Sequence, residues 1–373
     1  MTVVTPEPQP LSRKKERLFS LVALILFLLV AIVAAEAVSR WKGLRPWTVR
    51  RTSVILESPG SYNSKHPTLG YLTNPGTFRF SQPGAYKFTM THRPNGLRIT
   101  HPLDTYSDDG KREIWIFGCS FTQGWTLDDN QTYAWSLQER LKDYEVVNFG
   151  VAGYGTVQSL IQCREAIARG AKPAVAVLAY GSFHDIRNTV TRGWIKRRLS
   201  TTGGNALGAL KLPYATLSEN RKVEILYKSS TYSWSPVLRR SAFFNFLDET
   251  YNRSLEGSYK SHEVSAAVIE EFDRQCKANG IPLVVAGISM DPTTAEMLEH
   301  CRKSGIMTLD ISVDLTIPGN ANAYDGHPTA IVNQQYAQKL ESYLCRDLIE
   351  CKSSEKRLNK AENQRVAWPQ GPK

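Results

Sequence analysis

The chain has 373 residues, 42% of them hydrophobic and 22% charged, with a formal net charge of +11. That length excludes one small core and is short for three domains, so one large domain with extensions is expected. The charge admits an acidic partner. The basic residues are scattered, however, and no stripe interleaves them with aromatic ones, which argues against nucleic-acid binding.

Residues 1–17 are polar and Pro-rich and read as a disordered cytoplasmic tail. The run "LFSLVALILFLLVAIVAA" (18–35) has only Ser20 as a polar residue. It is long enough to span a bilayer, and a transmembrane anchor is expected over 18–38. "RKKER" (13–17) precedes it, which places the N-terminus in the cytoplasm and the rest of the chain outside. "AEA" (35–37) would suit a signal peptidase, and the flank beyond is also basic. The run is nevertheless longer than a signal-peptide core, so an uncleaved anchor is favoured over a cleaved signal or the reverse orientation.

Residues 39–111 hold many Pro, Gly, Thr and aromatic residues with little helical period. "HPTLGYLTNPGTFRF" and "YKFTMTHRPNGLRIT" predict short strands and turns flanking the main domain. From Arg112 strands and helices alternate. Apolar runs at 114–117, 145–149, 174–180, 282–288 and 306–311 suit strands buried on both faces. Between and after them, helical spacing groups Tyr133, Leu137 and Leu141. It likewise groups Val157, Leu160, Ile161 and Ile167; Val264, Val268, Phe272 and Cys276; and Val332, Tyr336, Leu340 and Leu344. "KANG" (277–280) and "ARG" (168–170) supply glycine stops. This pattern predicts an α/β domain over 112–350, a five-stranded parallel sheet covered on both faces.

Residues 189–262 break the rhythm. They are basic and aromatic-rich, and an interval of that length is expected to be functional or a small subdomain. The end of the chain, 351–373, reads as a disordered basic tail. The six cysteines show no CxxC pair and no zinc spacing, so buried thiols with at most one or two disulfides are expected, and no metal.

Sites in open α/β sheets form at the carboxyl ends of strands. "GCSFTQG" (118–124) follows the first strand and presents Ser120. "NFGVAGYG" (148–155) follows the second and offers backbone N–H groups, Gly153 above all. "AYGSFHDIRN" (179–188) follows the third and carries His184 and Asn188. "AYDGHPTA" (323–330) places Asp325 and His327 before the last helix. A serine hydroxyl needs a base to become a nucleophile; His327 can take its proton and Asp325 can hold the imidazole. The N–H groups of Ser120 and Gly153, with a side-chain donor from His184 or Asn188, could stabilise an oxyanion. Taken singly, each segment also has a plain structural reading as a turn, a loop or a helix entry.

Together the four segments resemble the SGNH (GDSL-like) hydrolase superfamily. "GCSFTQG", "GVAGYG" and "DGHP" are similar to its first, second and last blocks over roughly residues 112–345. The resemblance implies a three-layer αβα flavodoxin-like fold, Ser120, Asp325 and His327 as a catalytic triad, and no cofactor. The third block departs from the family's G-x-N-D, with His184 where Asn stands, and the last is Asp-x-His in place of D-x-x-H. "LGYLTNPG" and "RPNGLRI" are similar to the flank of membrane-anchored, polysaccharide-linked members. The expected protein is a single-pass, membrane-anchored esterase or O-acyltransferase acting outside the cytoplasm on a small acyl ester of a carbohydrate, with 189–262 lining an acceptor groove. The competing reading is a non-catalytic carbohydrate-binding or assembly component on the same fold.

Overall fold

The computed structural model describes residues 12–50, 54–82, 86–106, 110–233, 235 and 238–351. The chain divides into two compact units, Met1–Val49 with Ser233–Leu255, and Arg50–Tyr232 with Glu256–Lys373. The expectations for residues 1–11 and for the tail after Cys351 fall outside the described residues.

In the first unit a single helix runs Arg13–Trp41 and takes in the basic stretch that precedes the apolar run. It is long and apolar enough to cross a membrane, and none of its apolar window is buried. The helix Ala242–Glu256 completes the unit.

The second unit is built on five parallel strands: β1 (Arg112–Phe117), β2 (Tyr144–Asn148), β3 (Val175–Tyr180), β4 (Leu283–Gly287) and β5 (Met307–Asp310). All five coincide with the apolar runs read from the sequence. Their order in the sheet is β2-β1-β3-β4-β5. That is the flavodoxin-like order, and the chain reverses its direction of travel between β1 and β3. Loops leaving β1 and β3 therefore diverge to opposite faces and open a crevice at their carboxyl ends.

The pleat of β1 shows why its sequence is apolar throughout. Ile114 and Ile116 belong to the core formed with α1 (Tyr133–Arg140) and α5 (Ala330–Asp347). Trp115 and Phe117 face the other way. Phe117 stacks on Phe149 with centroids 4.5 Å apart and meets Phe272 edge-on, so α2 (Thr156–Ala168) and α3 (Ser261–Ala278) cover that face. α4 (Pro292–Lys303), capped by Asp291, packs on β4, β5 and α3.

The flank forms a hairpin, Asn63–His66 with Gly70–Thr73, and an antiparallel sheet of Ile55–Leu56, Gly76–Gln82 and Tyr86–His92. The interval 189–262 is divided between the units. Residues up to Tyr232 form a helix, Arg192–Leu199, and a hairpin, Lys211–Leu217 with Val223–Ser229. The first strand of that hairpin lies on α2, α3 and the strand Gly70–Thr73. Cys345 and Cys351 form a disulfide at the end of α5, and Cys119, Cys163, Cys276 and Cys301 are buried free thiols.

Phe117 is fully buried at the centre of the aromatic layer. Phe117→Ala should destabilise the second unit by about 3–5 kcal/mol, read as a lowered midpoint in urea unfolding with little change in slope.

Candidate active site

Ser120 opens a single helical turn, Ser120–Gln123, directly after β1. The approach is tight. A Cβ on Gly118 would stand 2.1 Å from Thr122 Oγ1 and 3.3 Å from Ala179 Cβ, so no side chain fits there. The second block is fastened to this turn. Asn148 Nδ2 donates to the Thr122 carbonyl (2.9 Å), Ala152 N–H to Gln123 Oε1 (3.0 Å) and Val151 N–H to the Gly118 carbonyl (3.3 Å). Gly153 has φ +84°, and a Cβ there would meet Tyr71 Oη at 2.5 Å. Both conformation and space therefore require glycine.

The last block curls back onto the first. Asn322 N–H donates to the His327 carbonyl and Gly326 N–H to the Asn322 carbonyl, each at 2.8 Å. His327 Nε2 lies 2.9 Å from Ser120 Oγ, across 207 positions of sequence. Asp325 Oδ2 is 3.2 Å from His327 Nδ1. Neither atom makes an aligned hydrogen bond, so the carboxylate stands beside the N–H axis at ion-pair distance. Its Oδ1 accepts the His327 backbone N–H at 3.2 Å. The structure thus brings Ser120, His327 and Asp325 into one row. Ser120 is buried, and Phe121 walls the ring of His327 at 5.5 Å and meets Phe183 at 5.3 Å.

Among the described residues, no protein acceptor takes the N–H of Ser120 or of Gly153. An unpaired backbone N–H is the kind of donor that an oxyanion requires. The two side chains proposed as a third donor are placed very differently. The Asn188 amide is occupied at both ends: Oδ1 accepts Val157 N–H at 3.1 Å and Nδ2 donates to Ser265 Oγ at 2.9 Å. His184 is fully buried, with Nδ1 3.5 Å from Thr156 Oγ1 and Nε2 without a partner. Burial, helped by the nearby Arg187 charge, holds its pKa well below the usual histidine value, so the ring is neutral. If the Thr156 hydroxyl donates to Nδ1, the proton sits on the free Nε2. The polar neighbour of His184 is Thr156, directly after the second block.

Asp185, the next acid in the same loop, is engaged elsewhere. Tyr180 donates to it at 2.6 Å and His262 Nδ1 lies 2.9 Å away. It borders a cavity of about 780 Å³ whose lining includes Arg221, His262, Glu296 and His300 but neither Ser120 nor His327. Among the described residues, no three metal-ligand side chains converge.

Three residues that sequence reasoning did not single out hold this arrangement. Arg98, 1% exposed, donates Nη1 to the Gln123 carbonyl (2.7 Å) and to that of Gly124, and Nη2 to the Leu127 carbonyl (2.7 Å). Its charge is answered by Asp129 at 3.1 Å. Gln123 ties the first block to Ala152 and donates to Tyr62 and Thr73 of the flank. Tyr71 donates to the Ala152 carbonyl at 2.6 Å. The only signal was the flanking segments "LGYLTNPG" and "RPNGLRI", which contain Tyr71 and Arg98.

No family model and no curated protein matches the chain. Solved structures similar to it include a lipolytic protein of the G-D-S-L family from Desulfitobacterium hafniense, at 14% identity and a TM-score of 0.35, covering 62% of this chain and 98% of that one. A second member of that family, from Veillonella parvula, is 10% identical with a TM-score of 0.38, covering 63% and 99%. A family two carbohydrate esterase from Clostridium thermocellum, in complex with cellohexaose, is 11% identical with a TM-score of 0.35, covering 64% and 65%.

Two outcomes follow from this geometry. Arg98→Met leaves several carbonyls and Asp129 without their partner and should cost about 3–5 kcal/mol in chemical denaturation. His184 binds a proton when unfolded near pH 6.5 but resists it when folded, so it contributes instability that grows as pH falls below about 6.5, by up to about 1.4 kcal/mol per pH unit. His184→Asn should flatten the loss of stability between pH 7 and 5, measured by urea unfolding at stepped pH.

Proposed function

We propose that this chain is a serine esterase or O-acyltransferase of the SGNH type. The observation that carries the reading is the 2.9 Å approach of His327 Nε2 to Ser120 Oγ, with Asp325 at 3.2 Å behind the ring. Ser120 Oγ attacks an ester carbonyl while His327 Nε2 takes its proton. The tetrahedral oxyanion is held by the N–H groups of Ser120 and Gly153 and by His184 Nε2–H as third donor, the role for which the occupied amide of Asn188 is unsuited. The Asp325 carboxylate stabilises the imidazolium. His327 then protonates the departing alcohol oxygen, the C–O bond breaks, and an acyl-Ser120 remains. Water or a sugar hydroxyl, deprotonated by the same imidazole, resolves it.

The substrate we infer is a small acyl ester, acetyl among the candidates, on a carbohydrate. Phe121 and Phe183 offer apolar faces of the kind sugars stack on. Arg187 donates to the Tyr154 carbonyl at 3.0 Å, and Arg198, from the interval after β3, lies 5.9 Å from the Tyr71 ring, with one buried guanidinium nitrogen unpartnered. Both cations stand beside the Gly153 turn and favour an acidic chain. The helix Arg13–Trp41 serves as a single-pass anchor with its basic end in the cytoplasm, and the second unit lies outside. The Cys345–Cys351 disulfide is consistent with that oxidising side.

An active-site phosphonate should label Ser120 and no other serine. His327→Ala should slow labelling by about 100- to 10,000-fold in a folded protein. Labelling that persists in Ser120→Ala, or that is indifferent to His327, would leave the non-catalytic binding component as the better reading.

A further inference from the structure

The helix Ala242–Glu256 carries its polarity the wrong way round for a water-facing element. Its buried positions are Ala242, Asp248 and Asn252. Phe246, Leu247 and Tyr251 are 40%, 44% and 55% exposed. With Phe243 and Thr250 they follow a spacing of three and four and so share one face. An outward face of aromatic and aliphatic side chains over a polar inner face is unfavourable in water and favourable against hydrocarbon.

The start of this helix is fixed to one place on the N-terminal helix. Glu36 is the first charged residue after the apolar run. Its carboxylate accepts the N–H of Ala242 and of Phe243, each at 3.0 Å, and the Ser241 hydroxyl at 2.6 Å. A carboxylate on the free N–H groups of a helix start is a stabilising cap. Arg40 binds Glu36 and donates to the Arg240 carbonyl at 3.0 Å. Asn245 donates to the Arg45 carbonyl at 2.9 Å, and Arg239 lies 4.3 Å over the Trp47 ring. These contacts all lie within the first unit.

We infer that Ala242–Glu256 is a second membrane-contacting element, an interfacial helix seated in the headgroup layer on the far side from the cytoplasmic tail. The inference rests on the anchor reading of Arg13–Trp41. If the apolar run spans the bilayer, Glu36 stands at its outer boundary, and the helix it caps begins there. The surroundings suit that layer. Trp41 is 84% exposed, as an interfacial aromatic anchor would be, and Arg40, Lys42, Arg45, Arg239 and Arg240 offer cations to lipid phosphates. The surface that this face meets is the bilayer. The helix thereby holds the juxtamembrane segment by two independent insertions and limits how far the anchor end can tilt.

The test uses the full chain in nanodiscs containing anionic lipid, with a polarity-sensitive fluorophore on single introduced cysteines. Four native thiols are buried and the other two are disulfide-bonded, so background labelling is low. Labels at Leu247→Cys and Tyr251→Cys should be quenched several-fold more by a shallow lipid-linked quencher than a label at Glu249→Cys, which should respond to aqueous iodide. A label at Leu26→Cys, inside the apolar run, should be quenched by a deep lipid-linked quencher. Deep quenching at Leu26→Cys with iodide access at both 247 and 251 overturns the interfacial helix and leaves the anchor standing. Absence of deep quenching at Leu26→Cys overturns the anchor and the inference with it.

Discussion

A buried guanidinium holds the turn on which the site depends. The Ser120–Gln123 helix is a single turn, too short to be stable through its own hydrogen bonds, and its terminal carbonyls would be left without partners in the interior. Arg98 supplies those partners from outside the α/β domain, and Asp129 balances its charge. The Arg98 backbone also bridges to Asn148, at the end of β2, and to His92 in the flank. One residue therefore joins the flanking sheet, the serine turn and the loop that carries Gly153. A planar fork with donors on several sides can satisfy carbonyls from separate residues, which a lysine ammonium on a flexible stem does less well.

The same economy is visible in the neighbouring contacts. Gln123 faces the Gly153 loop with its carbonyl oxygen and the flank with its amide nitrogen, and Tyr71 closes the loop from above. Tyr154 returns a hydrogen bond to the Tyr71 carbonyl. The flank is thus a clamp on both backbone turns that present N–H groups. Geometry held by several buried bonds is preorganised, and that is what electrostatic stabilisation of a developing oxyanion needs. At the other wall, Asn333 accepts Tyr133 N–H at 3.0 Å and donates to the Thr329 carbonyl, so α1 and α5 set where the His327 loop begins.

What could be read from the sequence follows from the range of the forces involved. Strands buried on both faces must be apolar along their length, so β1 to β5 were legible as runs, and the amphipathic helices were legible from their periodicity. Ser120, Gly153 and His327 could be picked out as candidates because each sits just past a strand or before a helix, and the structure brings Ser120 and His327 to 2.9 Å of one another. Arg98 and Gln123 were not, because a polar residue becomes a buried tie only through partners distant in sequence. The choice between His184 and Asn188 was open for the same reason. Nothing local shows that Asn188 is consumed by Val157 and Ser265 while His184 keeps a free nitrogen. The interval 189–262 was legible as an interruption, but not its division into a hairpin in one unit and a helix in the other, since Glu36 lies some 200 residues from the helix it caps.

The central claim is that Ser120 carries the acyl group between donor and acceptor. It is tested most directly by rapid acid-quench mass spectrometry of the protein turning over an aryl acetate, whose good leaving group favours the first step. The account predicts an acetylated species in near-stoichiometric amount, with the modification on the peptide containing Ser120 and absent from Ser120→Ala. Turnover at an undiminished rate with no acetyl on that peptide, or with acetyl on another residue, would contradict it.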